Sequence, residues 1–491
     1  MTAPDPESLK YTKMSAVDRS WLRMECVENP MMISAVLIFE QPIPMARLRQ
    51  VLGERFLRFR RFRQKIIQKG DKVHWHDDPL FDLDNHVHRI ALPGKANKQN
   101  LQRLTSDLNS TPLDFNHPLW QIHYIDNYRG GCALLIRIHH CIADGISLVR
   151  VMLSLTDASP DASDTRVFRL PSQTPPTVDE RFSLKRVISR VSELGSTALN
   201  QLAVLGDAIR KDARYPIKLA DTAGKIAMEC VKLALIPCEP KTGLTTPLSG
   251  RKRVAWADPL SLAEVKVCAR ALKGTVNDVL MACATGALHK HFHETGEAIP
   301  ECGIRVAVPF NLRSLRQPIE TLGNQFGLVL LTLPVDVDCP IMRFRQVQEH
   351  MNRLKRSCQA QVTYSLLDLF GRGPDMLERR ALKILSQKAS AVLTNVPGPK
   401  KAVYLAGSKL KQPMFWVPQT GSIGIGMSIF SYAGTVQFGM TIDKNIKADP
   451  DVLMDYFRES FHELRDRALQ LQHPLQDDMK NGENAGQAFT L

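Results

Sequence analysis

Apolar and polar residues follow two different periods along this chain, and their order predicts an α/β protein. Continuous aliphatic runs at 32–39, 120–126 and 132–139 read as strands, the last two joined as a hairpin through Gly130-Gly131. Residues 81–90 alternate apolar with polar positions, as a half-exposed strand does. Helical spacing covers 45–59, 98–108 and 146–155, and Ser15 followed by Asp18 predicts a capping box for a short helix carrying Trp21 and Leu22. The same signals resume in the second half. A strand is expected at 254–257, helices at 260–272 and 276–292, strands at 304–308, 328–333, 391–393, 424–430 and 435–441, and a last helix at 450–472.

Between the two sets, 156–180 is rich in Ser, Asp, Thr and Pro and reads as a solvated linker. Apolar residues such as Leu202, Leu205, Ile209 and Val231 then return at helical spacing up to about 236. The division is a first subdomain at 1–155, a linker and basic helical tract at 156–250, a second subdomain at 251–473 and a polar tail at 474–491. The 491 residues, 44% of them apolar, can fill two cores, because single cores stop growing beyond about 250–300 residues. The ten cysteines show no paired spacing and no secretory leader precedes them, so thiols in a reducing cytosol are expected. The longest apolar runs fall short of the ~20 residues that span a bilayer.

Charge narrows the partners. A net charge of +14 suits nucleic acid, anionic lipid or an acidic co-substrate. Aromatics are not interleaved with the basic clusters, and no zinc-finger or RNP-type motif occurs, so nucleic acid is not expected. The excess is localised: 181–253 carries 14 Lys/Arg against 6 Asp/Glu. That tract is compatible with an ordinary amphipathic connector and with a membrane-surface element whose basic residues meet anionic headgroups. A second cluster runs through Arg55, Arg58, Arg60, Arg61, Arg63 and Lys65.

Chemistry concentrates at His139-His140-Cys141-Ile142-Ala143-Asp144-Gly145, where the strand at 132–139 runs out into a loop. Adjacent strand residues point to opposite faces, so one histidine works while the other supports it. His140 is the expected general base, a neutral imidazole being well matched to proton transfer near pH 7. His139 is expected to fix the loop. Asp144 can hold it by pairing with an arginine or with backbone N–H groups, and Gly145 permits a tight backbone. No ligand set is completed around the motif, so no metal is expected there. Cys141 falls on the face opposite His140 and is not expected to act as a nucleophile.

HHxxxDG resembles the signature of the CoA-dependent acyltransferase superfamily, shared with chloramphenicol acetyltransferase and with peptide-synthetase condensation domains. Further segments are similar to one branch: Met14-Ser15-Ala16-Val17-Asp18, Pro112-Leu113-Asp114-Phe115, Pro118-Leu119-Trp120, Asn277-Asp278-Val279, Val308-Pro309-Phe310-Asn311-Leu312-Arg313, Gly323-Asn324-Gln325-Phe326-Gly327 and Asn395-Val396-Pro397-Gly398-Pro399. Together, over about residues 10–470, they resemble the bacterial wax ester synthase/diacylglycerol acyltransferase family. The resemblance implies two chloramphenicol acetyltransferase-like α/β subdomains, joined by the helical linker, with the active-site channel between them. It implies acyl transfer from acyl-CoA, as co-substrate and not a bound cofactor, to diacylglycerol or a long-chain alcohol. It places Asn277 and Asp278 near the site; Thr275 with Asp278 also reads as a helix capping box. Asn277 is a candidate oxyanion donor. Arg63 is expected to pair with Asp144, with Arg60 and Arg61 as neighbouring choices, and Trp120 is expected in the core or in the tunnel wall. The prolines and glycine of 395–399 read first as turn chemistry. The expected location is cytoplasmic, peripheral to the inner membrane face or to lipid inclusions. Other readings are transfer to another lipid alcohol, a carrier-protein donor, and a non-catalytic lipid-inclusion coat.

Overall fold

A computed structural model of the chain describes residues 11–70, 72–161, 228–229, 231–233, 235–313 and 322–471. Most of the linker and basic helical tract and the polar tail lie outside them. The strands are β1 (Tyr11–Lys13), β2 (Met32–Phe39), β3 (Gln64–Lys69), β4 (Lys72–Asp77), β5 (Val87–Ile90), β6 (Trp120–Tyr128), β7 (Gly131–His139), β8 (Lys252–Trp256), β9 (Leu260–Ser261), β10 (Ile304–Asn311), β11 (Phe326–Leu333), β12 (Ala391–Pro397), β13 (Tyr404–Leu405), β14 (Ser408–Trp416), β15 (Ile425–Tyr432) and β16 (Thr435–Asp443). The helices are α1 (Ala16–Arg23), α2 (Met45–Val51), α3 (Lys98–Asn109), α4 (Gly145–Ser154), α5 (Leu262–Ala271), α6 (Val276–Thr295), α7 (Pro340–Arg356), α8 (Gln359–Arg372), α9 (Asp375–Ser386) and α10 (Pro450–Gln470).

Two mixed sheets organise the molecule, in the strand orders β13-β14-β2-β7-β6-β5 and β11-β10-β12-β15-β16-β8. All nine residues of β7 are buried, because it is central in the first sheet and both its faces are covered. One face joins a core with α1, α2 and β2. The other meets Val254, Trp256, Met414 and Trp416, a smaller core between the sheets. The second sheet packs on α5, α6 and α10 through Phe292, Phe438 and Phe457.

Several expectations change. β14 lies in the first sheet, antiparallel to β2, with Met414 opposite Val36, although its residues fall within the range read as the second subdomain. Only 87–90 of the stretch 81–90 is strand; Leu83–Asn85 is a 3-10 turn because Asp82 accepts the Asp84 N–H and bends the chain. The helix read at 45–59 stops at Val51 and widens into a π-helical turn at Leu52–Phe56. Residues 395–397 continue β12 in parallel register with β15, so the turn begins only at Gly398, where a Cβ would collide with Phe430 and the Ser431 carbonyl. No described helix is long and apolar enough to cross a membrane.

Candidate active site

β7 delivers the two histidines with opposite fates. His139 is enclosed; its Nδ1 accepts the Cys141 N–H at 3.1 Å, and its Nε2 lies 3.3 Å from Glu25 Oε2. This ring ties the loop after β7 to the segment after α1. His140 turns into a cleft. Its ring stacks on Trp21, with centroids 4.1 Å apart and planes 20° apart, and Phe326 closes on it at 5.5 Å. Nδ1 is enclosed and makes no hydrogen bond of ordinary geometry. Nε2 is the ring nitrogen left for the cleft.

The backbone around His140 is gripped from both sides. Its N–H donates to the Met31 carbonyl at 2.7 Å, and its carbonyl accepts from Asn324 Nδ2 at 2.8 Å. The same amide and the Asn324 N–H donate to Asp18 Oδ1 at 2.9 and 3.0 Å. Asp18 therefore leaves the expected capping box half made: Ser15 Oγ accepts the Asp18 N–H, but the carboxylate turns across the cleft to Asn324. Burial pushes the Asp18 pKa up, opposed by Ser15 and Asn324.

Asp144 is the N-cap of α4, its Oδ1 accepting the Ser147 N–H at 2.7 Å. Its Oδ2 accepts the Gln325 N–H at 3.0 Å and lies 3.7 Å from Arg313 Nη2. The arginine paired with Asp144 is thus Arg313 and not Arg63. Arg63 stands exposed at the end of the 3-10 turn Arg60–Arg63, where residues three apart eclipse. Arg60 shares that outer side and binds Asp77, while Arg61 turns inward over Trp75 at 4.1 Å. Gly145 also has a different role from the expected one. Its φ is not positive, and a Cβ there would meet nothing within 4 Å, in the open space of the cleft.

Asp278 and Thr275 form the complete capping box, with Thr275 N–H to Asp278 Oδ2 at 2.9 Å and Asp278 N–H to Thr275 Oγ1 at 3.2 Å. Asn277 stands behind the cleft wall, its Oδ1 accepting Asn395 Nδ2 at 2.7 Å; Asn395 is the residue that lines the cleft. Trp120 lies off the cleft, fully buried, donating from Nε1 to the Phe62 carbonyl at 2.8 Å. Sequence reasoning gave no role to Trp21, Glu25, Arg313, Asn324 or Asn395, although three of these lie in segments that carried the family resemblance.

The cleft encloses about 1380 Å³ including its open mouth, and Trp21, His140, Gly145, Leu328, Leu367 and Val392 are among its walls. A second, almost wholly apolar cavity lies between α4 and the first sheet, walled by Ala35, Leu37, Ile136, Met152 and Leu410. Gly145 and Phe415 border both. Cys141 is fully buried and burial pushes its thiol pKa well up, the reverse of what a thiolate nucleophile needs.

Burial lowers the His140 pKa to about 3, so the imidazole is neutral at pH 7; burial with Arg137 nearby lowers that of His123 to about 4. In the unfolded chain both titrate near ~6.5. The unfolded state therefore binds more protons as pH falls below that value, and stability present above it is lost progressively toward the folded pKa values. Urea unfolding at pH 7.5 and 5.0 is expected to give the lower midpoint at pH 5.0, with a smaller drop in His140→Asn. Equal drops in the two proteins would mean that the imidazole is not held neutral by the fold.

Two sheets with an apolar cleft between them and a buried neutral histidine at its centre define a two-lobed α/β acyl-transfer fold. The structure of a wax ester synthase/diacylglycerol acyltransferase from Marinobacter aquaeolei VT8 superposes with a TM-score of 0.64 at 21% identity, over 93% of this chain and 100% of that one. The starter condensation domain of rhizomide synthetase gives 0.53 at 14% identity, over 96% and 97%. Residues 14–280 match the wax ester synthase/diacylglycerol acyltransferase catalytic domain, and 322–465 match the WS/DGAT C-terminal domain. This chain belongs to the wax ester synthase/diacylglycerol acyltransferase family and is an acyltransferase. It is also 29% identical, over 89% of its length and 92% of the relative's, to a Mycobacterium tuberculosis protein described as "Probable diacyglycerol O-acyltransferase tgs1".

Proposed function

We propose that this enzyme transfers a fatty acyl group from acyl-CoA to diacylglycerol or a long-chain alcohol, with His140 as general base. The observation that carries this reading is that two apolar cavities share Gly145 and Phe415 as lining residues, with His140 on the wall of one: in this reading two hydrocarbon chains converge on one imidazole. His140 Nε2 takes the hydroxyl proton as the alcohol oxygen bonds to the thioester carbon. The tetrahedral intermediate then breaks its C–S bond, and the imidazolium returns the proton to the leaving CoA thiolate. The Gly145 and Ile146 N–H groups at the start of α4 border the cleft and are the oxyanion donors in this reading. A pKa as low as that of free His140 is no obstacle to the step, because the developing oxyanion and the Trp21 π-face both favour the imidazolium. His139, Asp144, Asn324 and Asn277 act as positioning residues, and Asp278 as a helix cap.

The subdomain division belongs to the same reading, with the β13–β14 segment exchanged into the first sheet. The basic excess, concentrated in the sequence at 181–253, brings the protein to an anionic membrane face or lipid inclusion from the cytoplasmic side.

The experiment is product analysis by mass spectrometry after incubation of palmitoyl-CoA with hexadecanol or with dioleoylglycerol. Wax ester, triacylglycerol or both are expected; CoA-dependent ester from neither acceptor would sink the proposal. Gly145→Leu is expected to retain the urea midpoint and to lose at least tenfold in kcat/KM, since its side chain enters open space at a position that lines both cavities. Full activity in that variant would separate the second cavity from the reaction.

A further inference from the structure

Away from the cleft, α6 presents His289 and His293 on one face, one helical turn apart, against the β11–α7 connection that carries Asp338. Their rings lie 4.6 Å apart, and both Nε2 atoms point at one carboxylate oxygen: Asp338 Oδ1 is 3.7 Å from His289 Nε2 and 3.6 Å from His293 Nε2. We propose that His289 Nε2, His293 Nε2 and Asp338 Oδ1 bind a divalent transition-metal ion, zinc by the chemistry of the donors, clamping the last turns of α6 to the β11–α7 connection.

Hydrogen bonding presets one of the ligands. His289 is nearly buried, and its Nδ1 lies 2.8 Å from the Val335 carbonyl, so Nδ1 carries the hydrogen. That leaves Nε2 as the ring nitrogen facing Asp338 Oδ1 and His293 Nε2. The Nδ1–H to carbonyl bond is the outer contact that commonly orients a metal-binding histidine. The two N–O separations of 3.7 and 3.6 Å approach the ~3.3 Å edge of a tetrahedral zinc site with Zn–N of ~2.0–2.1 Å, and all three donor atoms lie within 4.8 Å of one another. Asp338 is also preset: Arg343 donates to the Val337 carbonyl at 2.9 Å and to the Asp338 carbonyl at 2.8 Å, pinning the connection. Three protein donors leave one position for water. His and carboxylate donors without thiolate favour zinc over the hard ions magnesium and calcium.

Isothermal titration with ZnCl2 tests this on the full chain, freed of any polyhistidine tag and stripped with EDTA. Wild type is expected to bind one equivalent at micromolar Kd or tighter, with melting temperature rising with free zinc. His293→Ala and Asp338→Asn change exposed side chains, and each should weaken binding at least tenfold while leaving thiol release from palmitoyl-CoA unchanged. Absence of saturable binding would overturn the proposal. Undiminished binding in both variants would overturn it too, assigning the zinc to cysteine thiols.

Discussion

His140→Ala is expected to lower alcohol-dependent kcat by about 100-fold or more, the range general-base catalysis typically contributes. No other described group can substitute. The second histidine is enclosed and committed to Cys141 and Glu25, and the adjacent thiol is buried with a raised pKa. The fold should survive, because the backbone bonds to Met31 and Asn324 are independent of the imidazole. The variant still loses stacking on Trp21, so a modest stability cost is expected, comparable with other large-to-small core changes. The check is kcat at saturating palmitoyl-CoA beside a urea midpoint. A tenfold loss or less in a folded variant would leave His140 without the role of base.

Asp144→Ala is the second large effect, and it separates positioning from chemistry. One carboxylate caps α4, holds the Gln325 N–H and faces Arg313, so it ties the helix after the motif to the segment that contains Asn324. Asn324 in turn holds the His140 carbonyl. Loss of an N-cap costs about 0.5–2 kcal/mol, and breaking a buried ion pair costs about 3–5 kcal/mol when a charge is stranded. Arg313 also donates to the Gly323 carbonyl at 2.9 Å, so a net loss of about 2–4 kcal/mol is expected. Displacement of His140 by about 1 Å can cost ~100-fold in rate. Asp144→Asn retains a good cap but also leaves Arg313 facing no charge, so it should recover only the cap's share of about 0.5–2 kcal/mol while still losing activity. Equal stability losses in the two variants would mean that the cap contributes nothing.

Much of the site was legible because its chemistry is local in sequence. The strand at 132–139, the loop after it and the capping box at Thr275 and Asp278 rest on periodicity and on contacts within a few residues. What tightens the site is not local. Asn324 reaches Asp18 and His140 from the far side of the cleft, and no pattern within Gly323-Asn324-Gln325-Phe326-Gly327 names those partners. Arg63 is the partner of Asp144 that the family resemblance suggests; the phase of a 3-10 turn faces it outward, and sequence spacing does not fix that phase. The hairpin β3–β4 carries no clear strand pattern, because lysine, glutamine and histidine occupy many of its positions. β14 could not be assigned to the first sheet, since the residues it pairs with lie more than three hundred positions away. The His289 and His293 spacing was visible; the third donor, Asp338, arrives only through packing.

The central claim is that His140 activates an alcohol for direct attack on the acyl-CoA thioester. The most direct test follows free thiol from palmitoyl-CoA, with and without hexadecanol or dioleoylglycerol, in wild type and in His140→Ala. Thiol release that depends on the alcohol and disappears with the imidazole is the predicted result. A stoichiometric burst of thiol without any alcohol, retained in His140→Ala, would reveal an acyl-enzyme formed elsewhere and would contradict the account.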